Sequence, residues 1–124
     1  SMFHVVLYEP EIAANTGNIG RLCVATGCTL HLVGQPGFRL DDRSLKRAGV
    51  DWWPEVRLVR HATMAELEAA LGIERLYVYT TRAEARHTSV RWQAGDAMLF
   101  GGESRGLPEE VLRRHAERAL RIPQ

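Results

Sequence analysis

The stretch Ala97-Met98-Leu99-Phe100-Gly101-Gly102-Glu103-Ser104-Arg105-Gly106-Leu107-Pro108-Glu109-Glu110 runs from an apolar segment of strand length, through a glycine-framed acidic turn, into a helix start. Glycines at 101, 102 and 106 allow left-handed backbone angles and close approach to a ligand, and Pro108 with the two following carboxylates suits a first helical turn. A ligand held by this turn would meet backbone groups as well as side chains. The same order recurs near the start: Phe3 to Tyr8 reads as an apolar strand, and Asn15-Thr16-Gly17-Asn18 turns into the helical run Ile19 to Thr26. Two strand-turn-helix junctions in 124 residues imply one composite site.

Further apolar runs of strand length lie at Thr29 to Val33, Val56 to Val59, Leu76 to Tyr79 and Ala119 to Ile122. Most are continuous where a half-exposed strand would alternate, so the strands are expected to be covered on both faces. Between them lie helical patterns at Asn18 to Thr26, Asp42 to Ala48, Met64 to Leu71 and Pro108 to Arg118, the third opened by the capping box Thr63-x-x-Glu66. Alternating strands and helices predict an α/β fold, a mostly parallel sheet with helices on both faces and ligands in the crevice beyond the carboxyl ends of the strands. A single domain over residues 1–124 follows from the length and from the lack of repeats, linkers or low-complexity tracts.

The formal charge is +1, so any polyanionic partner must be held by local patches and not by the field of the whole molecule. Lys46 is the only lysine, and the arginine bias either serves phosphate recognition or reflects genome composition. Cys23 and Cys28 are expected to be reduced, buried apolar residues, and His4, His31, His61, His87 and His115 show no i, i+4 pair, so no metal site is predicted. No apolar run approaches the roughly 20 residues of a membrane span, and no basic-then-apolar leader precedes Phe3; a cytoplasmic protein is expected. Ser1 before Met2 looks like a cloning remnant.

Arg21 is placed by this reading in the first turn of a helix, where the macrodipole disfavours a cation, which makes sense if it meets a phosphate or a developing alkoxide; the alternative is a solvated arginine. Asn15 or Asn18 is the expected cap of that helix. Residues 81–95 lack periodicity and carry Arg82, Arg86, His87 and Arg91 against Glu84, a loop that either touches phosphate or is solvated. Trp52 and Trp53 follow a basic stretch and either stack on an unpaired base or close a core or an oligomer contact. Gly102-Glu103-Ser104-Arg105-Gly106 also matches the G-x-S-x-G elbow of serine hydrolases, but only 20 residues follow Ser104, too few for the strands and helices that carry the other triad members.

Taken together, Leu7-Tyr8-Glu9-Pro10-Glu11-Ile12, Asn15-Thr16-Gly17-Asn18, Arg21-Leu22-Cys23, Leu45-x-Arg47-Ala48-Gly49, Thr80-Thr81, the glycine-acid turn and Arg121-Ile122-Pro123 resemble the SPOUT methyltransferases. The likeness runs in register over residues 2–123 and is to the branch that 2′-O-methylates the wobble cytidine or uridine of leucine tRNAs. The resemblance implies an α/β sheet whose C-terminal part is threaded into a trefoil knot, S-adenosylmethionine as cofactor, a homodimer, and the tRNA anticodon stem-loop as partner. By position it implies cofactor binding by Tyr79, Thr80, Gly101 and Ile122, a substrate side at Asn15 and Glu103, and Arg21 as the catalytic arginine acting on the ribose 2′-hydroxyl. Family members continue beyond the position of Gln124 with a Ser/Asn-rich loop and a final helix, so the third cofactor segment and the end of the knot are expected to be missing or incomplete here. That leaves a non-catalytic RNA-binding or dimerising module of the same fold as the alternative.

Overall fold

A computed structural model describes residues 3–47, 49, 53–72, 74–80 and 91–121. The chain alternates strands and helices: β1 (His4–Tyr8), α1 (Ala13–Thr26), β2 (Thr29–Val33), α2 (Asp42–Arg47), β3 (Leu58–His61), α3 (Met64–Leu71), β4 (Leu76–Thr80), β5 (Ala97–Phe100), α4 (Glu109–Arg114) and β6 (Ala119–Arg121), with short 3-10 turns at Trp53–Glu55 and Ala116–Arg118. The strands form one sheet in the order β3-β2-β1-β5-β4-β6, and every described pairing is parallel.

The continuous apolar runs are explained by this layering. On β1, Val5 and Leu7 face one core with Leu30, Leu32, Leu45 and Trp53, beneath α1 and α2; Val6 faces the other with Val33, Met64, Leu67, Val78, Leu99 and Val111, beneath α3 and α4. Each fully buried aliphatic side chain contributes about 1.5–3 kcal/mol relative to exposure, and strands covered on both faces leave no polar face to alternate. Trp53 thus closes a core, and Cys23 and Cys28 are buried and free, with burial pushing the Cys23 thiol up to about 11.

Local chemistry fixes the edges of several elements. Thr63 and Glu66 form the expected capping box, each accepting the other's backbone N–H. Gly27 ends α1 in the left-handed conformation at φ 74°, where a glycine carries no steric cost. The fully buried Asp96 carboxylate, just ahead of β5, takes the Arg75 guanidinium and the Gln93 amide, and the Asp96 carbonyl accepts from the His4 amide at 2.9 Å. This junction ties the starts of β4, β5 and β1 together. Burial opposes ionisation of Asp96, yet the Arg75 fork and the Gln93 amide hold its carboxyl below the usual range.

Two expectations about helices are corrected. α1 begins at Ala13, five residues before Asn18, so Asn15 and Asn18 lie within the helix and do not cap it; Ile12 is the N-cap and makes no side-chain cap. Arg21 therefore sits in the body of α1, and the argument from an unfavourable helix terminus does not apply to it. The pattern read as one helix from Pro108 to Arg118 breaks at His115, whose φ of −112° passes the chain into a 3-10 turn.

The chain moves outward from β1 to β3 and then crosses to the other side of β1 to build β5, β4 and β6. The order reverses between β1 and β5, and in open parallel sheets the crevice at the carboxyl ends of strands flanking such a reversal is where ligands bind. The two turns that decided the sequence reading leave the sheet at these two strands.

Candidate active site

The β5–α4 turn owes its shape to three glycines. Gly106 adopts φ 68°, its amide donates to the Gly102 carbonyl at 2.9 Å, and the two residues form an isolated antiparallel bridge. The turn is so tight that a Cβ on Gly101 would lie 2.3 Å from the Gly106 carbonyl carbon and 2.6 Å from the Leu107 nitrogen. Under this turn lies an open cavity of about 390 Å³ lined by Tyr79, Thr80, Phe100, residues 101–107 and Leu112. Its aromatic side is ordered by stacking, with Tyr79 parallel to Phe100 at 4.9 Å between ring centroids and to Trp92 at 6.5 Å.

The β1–α1 turn docks on this loop through two carboxylates that reach in opposite directions. Glu103 accepts from the Glu11 amide at 2.8 Å, the Ile12 amide at 3.1 Å and the Asn15 side-chain amide at 3.2 Å. Glu11 accepts from the Ser104 amide at 3.0 Å, the Ser104 hydroxyl at 2.6 Å and the Arg105 amide at 3.2 Å. Gly102 is where the two loops touch: a Cβ there would lie 2.7 Å from Glu11 Oε1 and 2.8 Å from the Glu9 carbonyl oxygen. Glu9 itself takes a left-handed φ of 43°, the only described non-glycine residue to do so, as the chain bends out of β1.

Glu103 thus supplies from across the molecule the anion that the mouth of α1 lacks in its own sequence, and the helix dipole favours it there. Partial burial works against ionisation of Glu103, but the amides of Glu11 and Glu103, the Asn15 side chain and the Ile12 amide hold its carboxyl below the ordinary glutamate range. Replacing Glu103 with alanine is expected to destabilise the protein by about 1 kcal/mol, the usual cost of a lost helix cap. Thermal denaturation checks this, with a midpoint lowered by roughly 3–5 °C.

Of the residues singled out in the sequence, Tyr79, Thr80, Gly101 and Glu103 line this cavity, and Asn15 joins it through Glu103. Arg21 is exposed and is not part of the lining; six residues beyond Asn15, it points about 120° away round the helix. Ile122 and residues 81–90 of the arginine-bearing loop lie outside the described residues, as does Trp52. Sequence reasoning gave no role to Glu11, whose partners lie 93 and 94 residues away. The Ser104 hydroxyl donates to a carboxylate, and His115 is paired with Glu68, so the serine-hydrolase arrangement is not what this turn builds.

The sequence also concealed an array on the face of the sheet that packs under α3 and α4. His4 Nδ1 meets His31 Nε2 at 2.8 Å, and His31 Nδ1 meets His61 Nε2 at 2.9 Å, a diagonal row across β1, β2 and β3. The rings are bonded side to side and do not converge on a point, and among the described residues no histidine, cysteine or acid cluster could hold a metal ion. No described helix is long and apolar enough to cross a membrane.

Comparison with known proteins agrees with this geometry. The model of the SpoU rRNA Methylase family matches residues 2–124. The tRNA (cytidine(34)-2′-O)-methyltransferase of Methylovorus glucosotrophus is 46% identical over 123 residues, spanning 98% of this chain and 80% of that protein. A solved structure described as giving structural insights into the 2-OH methylation of C/U34 on tRNA superposes with a TM-score of 0.87 at 46% identity, over 99% of this chain and 80% of that one. The SpoU methyltransferase AviRb of Streptomyces viridochromogenes, solved with AdoMet, superposes with a TM-score of 0.79 at 19% identity over 98% of this chain and 48% of that one, a likeness of fold alone. The all-parallel sheet, the turns at its reversal point and the matched residues together place the chain in the SpoU methylase family, to which it belongs.

Proposed function

We propose that this protein is a tRNA 2′-O-methyltransferase that carries a methyl group from S-adenosylmethionine to the ribose of the wobble cytidine or uridine, working in the cytoplasm on the anticodon stem-loop. The observation that carries this reading is the in-register likeness, at 46% identity over 98% of the chain, to a tRNA (cytidine(34)-2′-O)-methyltransferase. The site supports it. A cavity of about 390 Å³ falls within the range of small-molecule sites, and it combines an aromatic wall with a glycine-framed turn that lets backbone come close to a ligand. Tyr79 and Phe100 would bound the apolar part, and the backbone at Gly101 and Thr80 would supply hydrogen-bonding groups.

S-adenosylmethionine supplies a methyl already activated on a sulfonium centre, so the protein has to bring the 2′-oxygen into line and ease the loss of its proton. Arginine stays protonated and is a poor base; Arg21 is therefore assigned to orienting ribose or phosphate and to stabilising the forming alkoxide. Its position, turned away from the cavity of its own chain, suits action across a homodimer interface. α1 exposes Leu22 to 64% of its surface and Val24 to 39%, apolar area beside Arg21 that a second subunit would cover.

The test is transfer of tritium from labelled S-adenosylmethionine by the full-length protein to unmodified leucine tRNA. Labelling at position 34 is expected; labelling of other RNAs and none of this tRNA would overturn the assignment. In Arg21→Ala, turnover is expected to fall about a hundredfold, the scale on which loss of one donor to a developing anion acts. Cofactor affinity should stay within about twofold, and equal losses in both quantities would make Arg21 structural.

A further inference from the structure

We infer that Glu11 is a positioning residue that holds the wall of the cofactor cavity in its binding shape, coupling the β1–α1 turn to the β5–α4 turn; the inference rests on the reading of the cavity as the S-adenosylmethionine site. Two of the residues that form the cavity wall, Ser104 and Arg105, have their amides bonded to the Glu11 carboxylate, as is the Ser104 hydroxyl. Glu103, in the same wall, holds the backbone on either side of Glu11 in return. Each carboxylate anchors the backbone that presents the other, so the six bonds form a closed clasp between the two turns, in which the Glu103 bonds to the head of α1 do not use the Glu11 side chain. The Ser104 hydroxyl, followed by the Ser104 and Arg105 amides, holds the Glu11 carboxyl below the ordinary glutamate range, so it is ionised and accepting at neutral pH.

The clasp is at the surface, and this decides where its loss is felt. Water can replace Glu11 as the acceptor for the freed amides, so little folding stability goes with it. The turn that Glu11 immobilised regains its backbone freedom, and a ligand must then order it on binding. Removal of Glu11 therefore appears as lost affinity and not as lost fold. The amide of a glutamine at this position would still accept from both backbone N–H groups through its oxygen and donate to the Ser104 hydroxyl through its nitrogen. An aspartate keeps the charge but is one methylene too short to reach.

The experiment is calorimetric titration of S-adenosylhomocysteine into the full-length protein and its Glu11→Ala, Glu11→Asp and Glu11→Gln variants, with melting temperature and amide hydrogen exchange over residues 101–107 measured alongside. Glu11→Ala and Glu11→Asp are expected to bind about tenfold more weakly, with faster exchange at residues 104 and 105, a melting temperature within roughly 2 °C of the parent, and affinity restored to within about threefold in Glu11→Gln. Unchanged affinity in Glu11→Ala and Glu11→Asp, or equal loss in Glu11→Gln, overturns the inference. If the unaltered protein fails to bind S-adenosylhomocysteine, the reading of the cavity itself falls, and the inference with it.

Discussion

Gly101→Ala is expected to weaken binding of S-adenosylhomocysteine by about ten- to a hundredfold. The added carbon would sit 2.3 Å from one backbone atom and 2.6 Å from two others, all in the Gly106–Leu107 strand of the same turn. A flexible side chain could swing aside, but here the obstacle is backbone pinned by the Gly102–Gly106 bridge and by Glu11. Overpacking of this kind costs about 1–3 kcal/mol, and the turn can relieve it only by opening over the cavity. The matching change at Gly27, where an added Cβ meets nothing within 4 Å, is strained only by its φ of 74° and lies far from the cavity, so it should lower melting temperature without a comparable loss of affinity. Titration of both variants makes the check, and equal affinities would mean that the turn does not bound the ligand.

The second large effect concerns acid. Burial, and then the neighbouring His4 and His61, push His31 down from 6.5 to about 4. The unfolded chain takes up this proton near pH 6.5 while the folded chain waits until about 4, so between these values the unfolded state binds more protons. Stability is therefore lost as pH falls through that window, at about 1.36 kcal/mol for each unit and up to about 3 kcal/mol in all. His4, lowered by its own burial, adds to the loss in the same direction. Proton counting in the row explains why relief is limited. Each of its two inter-ring bonds needs one hydrogen between two nitrogens, and only the two outer nitrogens remain, so three rings hold four protons at most and the array accepts one beyond neutrality. Urea denaturation at pH 4.5 and pH 7 measures the loss. His31→Gln is expected to flatten the dependence, and a variant as acid-sensitive as its parent would sink the account.

All six strands were legible to within about two residues, the inner ones because burial on both faces of a parallel sheet writes a nearly unbroken apolar run into the sequence; the edge strand β3, with Val59 and Arg60 exposed, lies two residues beyond the run Val56 to Val59 that marked it. The capping box at Thr63 was legible for a related reason, since both partners lie within four residues. The start of α1 was not, because the group that completes its mouth is Glu103, 91 residues after Ile12, and local capping rules then point to the nearest asparagines instead. The site divides along the same line. Tyr79 and Thr80 end β4, Gly101 and Glu103 follow the neighbouring β5, and the four meet in one cavity, whereas Glu11 and the histidine row depend on contacts between residues 27 to 94 positions apart that no periodicity records.

The distance between Glu103 and the helix it completes bears on how the protein is made. At 5–20 residues per second, the ribosome emits Glu103 roughly 5–20 s after Ile12. Throughout that interval the amides at the head of the first helix can turn only to water, and β1 has only β2 as its sheet neighbour, since β5 has yet to be synthesised. The amino-terminal half therefore leaves the tunnel as an unfinished layer with one flank open, and the late arrival of a single acidic turn both seals that helix and assembles the wall beside it.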